Sequence, residues 1–291
     1  MTEAYQGAGA LALALGLFSA ITLAAANLTV KAGRDILVTR AVLQSSAAML
    51  VLPFAFVVPL PDRATVIALA IAVPVHFAYQ LALIGALRSG DLSLVFPVMR
   101  GAAPLLTGAL AWLVLGEALT IAGIIGLLVA TGAVATFGLP PRGTNFSTHP
   151  DRRALMFAAL TAIGIAAYNV TDAHGARIAP SPFTFIVWLF MLDCLFVTPL
   201  AIWRRKHRFL AVVRETWRFG LVGGALSVVS YGAAIYAFTL VEAAKVSAIR
   251  ETAVVFAAIM GTFVLKEGFG ARRIVAALVL AAGLALLQFG D

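Results

Sequence analysis

The sequence predicts an all-α polytopic membrane protein of ten transmembrane helices, arranged as two inverted five-helix repeats. Three observations lead there. Of the 291 residues, 62% are hydrophobic and only 12% are charged, where a soluble domain carries roughly 25% charged residues. The apolar residues gather in ten stretches, 8–29, 36–58, 65–87, 92–115, 119–138, 154–174, 182–203, 219–240, 243–265 and 271–289, each near the roughly 20 residues that a spanning helix needs. Finally, the chain echoes itself. Residues 20–29, AITLAAANLT, align with 162–171, AIGIAAYNVT, pairing Asn27 with Asn169, Thr29 with Thr171 and, further on, Gly33 with Gly175. Arg100 likewise pairs with Arg250, and Leu115-Gly116-Glu117 with Leu265-Lys266-Glu267.

The spans follow in order. Span one is read as a membrane helix and not a cleaved leader, because Met1 to Gly7 lacks a basic segment. It carries Asn27, which is expected to bond a neighbouring helix, as is Asn169 in span six. Span two holds Arg40 within about one turn of its cytoplasmic end, where a long side chain can snorkel. Span three sets His76 and Tyr79 on one face with Gln80 beside them. Span four carries Arg100 between Pro97 and Pro104 and closes on Gly116-Glu117. Span five has Ala122, Gly126 and Ala130, and span ten Ala277 and Ala281, at the spacing of close helix packing.

Between the halves, 1–138 and 153–291, lies a polar cytoplasmic linker, 139–152. Span six ends near Asp172, which is expected to be solvated there. Span seven carries Asp193 and the only cysteine, Cys194. Span eight carries Tyr231 and Tyr236, and span nine Lys245, Arg250 and Glu251.

The net charge of +8 is a topology signal and not a nucleic-acid footprint. Fifteen of the 21 Lys and Arg fall in loops after odd-numbered spans, among them Arg204, Arg205, Lys206 and Arg208, whereas only Arg63 and Arg177 fall in loops after even-numbered ones. The positive-inside rule places the basic loops in the cytoplasm. The expectation is a multi-pass inner-membrane protein with both termini on the periplasmic side. With five spans in each half, the second half is inverted relative to the first. Such repeats are a transporter architecture, with the solute site near the midplane.

On these features the chain resembles the drug/metabolite transporter superfamily, in its ten-helix EamA-type branch. The resemblance rests on the five-plus-five duplication, the Leu-Gly-Glu close of helix four with its echo Leu-Lys-Glu, and the Asn-bearing first helix of each half. It implies export of small metabolites, amino acids or drugs along a path lined by helices three, four, eight and nine.

A charge at mid-bilayer depth faces a partner or a water-filled cavity, so Arg100 and Arg250 are the leading candidates. The guanidinium fork suits a carboxylate. Arg100 therefore either holds an anionic group of the solute or pairs with Glu251 across the repeat axis. Glu251 and Asp193 are the proton-coupling candidates, and Glu251 is also a candidate solute contact that could bind an ammonium group. Tyr79, Tyr231, Tyr236, His76 and Gln80 are candidate solute contacts, and Pro97 and Pro104 are the candidate helix break. No Walker loop, dinucleotide fingerprint, HExxH or CxxC is present. Hence no cofactor, metal or enzymatic activity is expected, and the partners are a small organic solute and the bilayer, with a monomer as the working unit. The function expected is secondary transport of amino acids or related small carboxylates. Efflux of cationic drugs and a membrane-embedded lipid-handling role stand as alternatives.

Overall fold

In hydrocarbon every backbone N–H and C=O has to be satisfied within the chain, which leaves helices as the economical answer for apolar stretches of this length. The computed structural model describes residues 2–31, 35–89, 92–137, 152–256 and 271–289, and among them it is helical nearly throughout. The helices are α1 (Thr2–Lys31), α2 (Ile36–Val51), α3 (Arg63–Ser89), α4 (Leu92–Leu115), α5 (Ile121–Phe137), α6 (Arg152–Ile178), α7 (Pro182–Arg205), α8 (Phe209–Phe238), α9 (Ala243–Arg250) and α10 (Ala271–Phe289). The linker and the residues Gly33, Lys266 and Glu267 lie outside the described residues, as do the side chains of Asn27, Thr29 and Pro97.

Local chemistry sets the ends. Asp35 caps α2 by accepting from the backbone N–H of Leu37 and Val38. Ser181 caps α7 the same way, with Pro182 at its first turn. Helix α4 stops at Gly116, whose φ of 70° ends a helix without the penalty a Cβ would add. A 3-10 segment, Leu52–Phe56, with Pro53 in its first turn, continues α2, so the second span is helical over most of its expected length.

Among the described residues, five helical stretches are long and apolar enough to cross a membrane: Gly7–Ala26, Ile36–Phe56, Arg63–Ala86, Arg152–Ile178 and the run Pro182–Phe238. The last contains α7 and α8 separated by the 3-10 segment Lys206–Arg208. Met99–Leu115, Ile121–Thr136 and Ile274–Phe289 are shorter apolar helices. The surface agrees with a bilayer as solvent. Trp112, Leu113, Leu128, Ile163, Leu195 and Leu278 are exposed while Asp172, Lys245 and Glu251 are buried, the reverse of what water would select.

The packing crosses between the halves. Helix α1 lies on α8, α3 on α6, α2 on α7, α4 on α9 and α5 on α10. Exchanging the first five helices for the second five turns the α1–α8 contact into α6–α3 and returns the other three pairs to themselves. That is the pairing a two-fold exchange of the halves requires.

Three expectations are corrected. Span nine is not one continuous helix: α9 ends at Arg250, Glu251 and Thr252 form a turn, and helix resumes over 253–256. Tight i to i+3 bonds, from Glu251 N–H to the Ala248 carbonyl and from Thr252 N–H to the Ile249 carbonyl, mark the break. Conversely α4 passes through Pro97 and Pro104 without interruption. The packing face of α10 is not Ala277 and Ala281 but Ala276, Leu280, Gly283, Leu284 and Leu287, which are buried against α5. There Gly126 meets Gly283 so closely that a Cβ on Gly126 would lie 2.5 Å from the Leu287 nitrogen.

Candidate functional site

Residues three and four apart share a helix face, and five helices turn such a polar face inward. Arg40 and Gln44 come from α2, His76, Tyr79 and Gln80 from α3, and Tyr168 and Asp172 from α6. Asp193 comes from α7, and Ser227, Ser230 and Tyr231 from α8. With Leu23, Arg100 and Arg250, all of these except Asp172 line a cavity of about 110 Å³. It is smaller than the roughly 300–1,000 Å³ of most ligand pockets. Its walls are unusually charged for this depth, with three guanidiniums among them.

The deepest cluster centres on His76. Its Nε2 lies 2.8 Å from Asp172 Oδ2, and its Nδ1 lies 3.6 Å from Asp193 Oδ2. The Tyr231 hydroxyl donates a short hydrogen bond to the same Asp172 oxygen, and the Gln44 amide donates to Asp193 Oδ2 at 3.1 Å. Aromatic rings close the cluster: His76 and Tyr168 lie 4.9 Å apart centre to centre, and Tyr79 meets Tyr168 edge-on at 4.9 Å.

The arginines form a second network. Arg100 donates to Glu251 at 3.3 Å, while the Arg250 Nε donates to the Ser19 hydroxyl at 3.1 Å and its guanidinium sits 4.9 Å above the Tyr231 ring. Ser230 donates to the Ser19 carbonyl at 2.7 Å, which ties α8 to α1 at that level. Asn169 donates to Ser247 and Thr107, joining α6, α9 and α4. This is the interhelical bonding expected of it.

Most of the residues singled out in the sequence thus converge. Arg100, Arg250, His76, Tyr79, Gln80, Tyr231 and Asp193 all line the cavity. Glu251 does not line it but lies behind Arg100. Tyr236 points elsewhere and stacks on Phe183 at 5.4 Å, because five residues turn a helix about 140° away from the Tyr231 face. Asp172 is fully buried, not solvated: α6 runs on to Ile178, leaving it more than a turn inside. Lys245 is also buried, and pairs with Glu242 at 3.5 Å. Arg40 lines the cavity where snorkelling was expected, and its Nε is buried with no hydrogen-bond partner among the described residues. Gln44, Ser19, Ser230 and Tyr168 were missed. The Arg40/Gln44 and Tyr168/Asp172 spacings were the available signals. Among the described residues no group of His, Cys, Asp and Glu has an arrangement that could hold a metal ion.

Leu23 and Arg40, near the facing ends of α1 and α2, are among the residues that line the cavity. At the opposite end, Glu117 pairs with Arg177 at 2.5 Å and accepts the backbone N–H of Ala243 at the start of α9. Arg177 also donates to the carbonyls of Phe238 and Val241. One ion pair therefore ties the ends of α4, α6, α8 and α9 together. On the basic face, Asp35 pairs with Arg205 at 2.6 Å. Partial burial works to raise the Asp35 carboxyl, but the Arg205 bond and the two capping amides outweigh it and hold the group below its ordinary value.

Comparison with known proteins follows the same lines. No curated protein matches the chain. A solved crystal structure, described only as that of a protein, matches over 98% of this chain and 99% of its own, with a TM-score of 0.75 and 16% identity, a likeness that carries the fold alone. Residues 152–289, which hold α6 to α10, match the EamA-like transporter family. The inward-turned charges and the apolar exterior agree with this match, which makes the second half of the chain similar to EamA-like transporters.

Proposed function

We propose that this membrane transporter is a secondary carrier of amino acids or related small carboxylate-bearing metabolites, exporting them across the inner membrane by alternating access. The observation that carries the reading is the set of three guanidiniums, Arg40, Arg100 and Arg250, at the wall of one mid-depth cavity. Guanidinium is the side chain best shaped to hold a carboxylate. Two features support motion between two halves of five spans each. The interface pairs exchange under a swap of the halves, and α9 is interrupted beside the cavity, as in carriers whose broken helices present ions and solutes at the midplane. The Glu117–Arg177 tie closes the end away from the basic loops, so this arrangement is read as open toward the cytoplasm.

Efflux of cations is the competing reading, favoured by Asp193 at the cavity wall. Counterflow in proteoliposomes separates the two, using labelled alanine, N-acetylalanine, tetraethylammonium and glycerol. Flux confined to the two carboxylates and lost in Arg100→Gln is the expected result. Flux of tetraethylammonium alone would replace the carboxylate reading with the cationic one, and a protein that moves none of the four is not a carrier of this kind.

A further inference from the structure

The two ring nitrogens of His76 both face carboxylate oxygens. A neutral imidazole has one N–H and one lone pair, so it can donate to only one of them. With the hydrogen on Nε2, bonded to Asp172, the Nδ1 lone pair would face the Asp193 Oδ2 oxygen and the two would repel. A further proton, on Nδ1 or on Asp193, removes the conflict. Asp172 is the fixed side of this arrangement: it is fully buried and accepts from both His76 and Tyr231 on one oxygen. Asp193 is the accessible side, since it lines the cavity, and its 3.6 Å separation from Nδ1 is too long for a direct hydrogen bond.

Among the described residues the charges around the cluster balance. Arg40 from α2, Arg100 from α4 and Arg250 from α9 line the cavity. Asp172 from α6, Asp193 from α7 and Glu251, just past α9, contact its walls. The remaining titratable groups facing His76 are the phenols Tyr168 and Tyr231. With neutral imidazole and ionised carboxylates the sum is zero, and the extra proton makes it one positive charge. We propose that His76, Asp172 and Asp193 form a proton-binding site, and that the proton crosses with a solute of one net negative charge. This rests on the carrier reading above. The proton enters from water in the cavity, sits on His76 Nδ1 or on Asp193, and returns to water on the far side. Its departure cancels the excess positive charge and frees the anion.

Wild-type proteoliposomes loaded with a pH-sensitive dye test this with labelled N-acetylalanine, a monoanion, beside alanine, its zwitterionic counterpart. The expected result is acidification of the lumen in step with N-acetylalanine entry, absent from protein-free vesicles. Net N-acetylalanine entry without a lumen pH change overturns the proton site and leaves the carrier reading standing. Absence of counterflow for every solute overturns the carrier reading itself, and flux of alanine without N-acetylalanine overturns the charge match. In His76→Gln and Asp193→Asn, proton entry per solute is lost from whatever flux remains, and an unchanged ratio refutes the assignment. Infrared difference spectra of the purified protein give a reading independent of flux. Either a protonated-carboxyl band lost in Asp193→Asn or an imidazolium band lost in His76→Gln is expected, and neither band would refute the site.

Discussion

Helix α4 carries two prolines and runs unbroken from Leu92 to Leu115; α9 carries none and stops at Arg250. Each brings an arginine to the same cavity, so the difference lies in what their neighbours demand. Pro104 deprives the Arg100 carbonyl of its helical donor, but Gly101, Ala102 and Ala103 leave room for the ring. In α9 two adjacent charges have partners in different directions. Arg250 is held by Ser19 of α1 and by the Tyr231 ring, and Glu251 by Arg100 of α4. Adjacent residues on a continuous helix point about 100° apart, and the turn at Glu251 and Thr252 lets both reach. In this protein a helix break coincides with long-range polar contacts and not with proline.

The sharpest way to break the comparison is Arg100→Gln, which strands the Glu251 carboxylate in the core. Losing one partner of a buried pair costs about 3–5 kcal/mol, read as a lowered thermal midpoint in detergent. Adding Glu251→Gln to it should recover part of that loss, since no charge is then left unpaired; equal midpoints for single and double variants would mean the pair is uncoupled. Ser19→Ala comes next. It leaves the Arg250 Nε without its acceptor and should cost about 1–3 kcal/mol, with reduced carboxylate counterflow as the second readout.

Thr252→Ala removes the hydroxyl bond to the Ile249 carbonyl, 2.7 Å in length, for about 0.5–1.5 kcal/mol. Smallest is Pro104→Ala, expected to shift stability by less than about 1 kcal/mol, because α4 already accommodates the ring. A larger loss there would show that the proline, and not the contacts, shapes this helix.

Much of this was legible in the sequence because spans are a local property. Apolar length marks helices before any packing is known, and the expected ranges of spans three, four and seven fall within a few residues of α3, α4 and α7. Residues on a shared face were legible too, which is why His76, Tyr79 and Gln80 arrive together. What escaped depends on helix rotation and on partners distant in the chain. Asp172 looked solvated because the helix end was placed four residues early. Gln44 and Ser230 carry no charge to betray them, yet each meets a partner across the bundle. The gap in span nine leaves no mark in composition, and the partners of its two charges lie in α1, α4 and α8.

The crossing of α5 and α10 has a mechanical meaning. At Gly126 and Gly283 the two backbones touch directly, and a Cβ on Gly283 would lie 2.7 Å from the Ala130 nitrogen. At that point no side chain separates the two backbones, although Leu280, Leu284 and Leu287 pack around it. On the proposed alternating-access reading, this close crossing is the place about which rocking of one half against the other would turn.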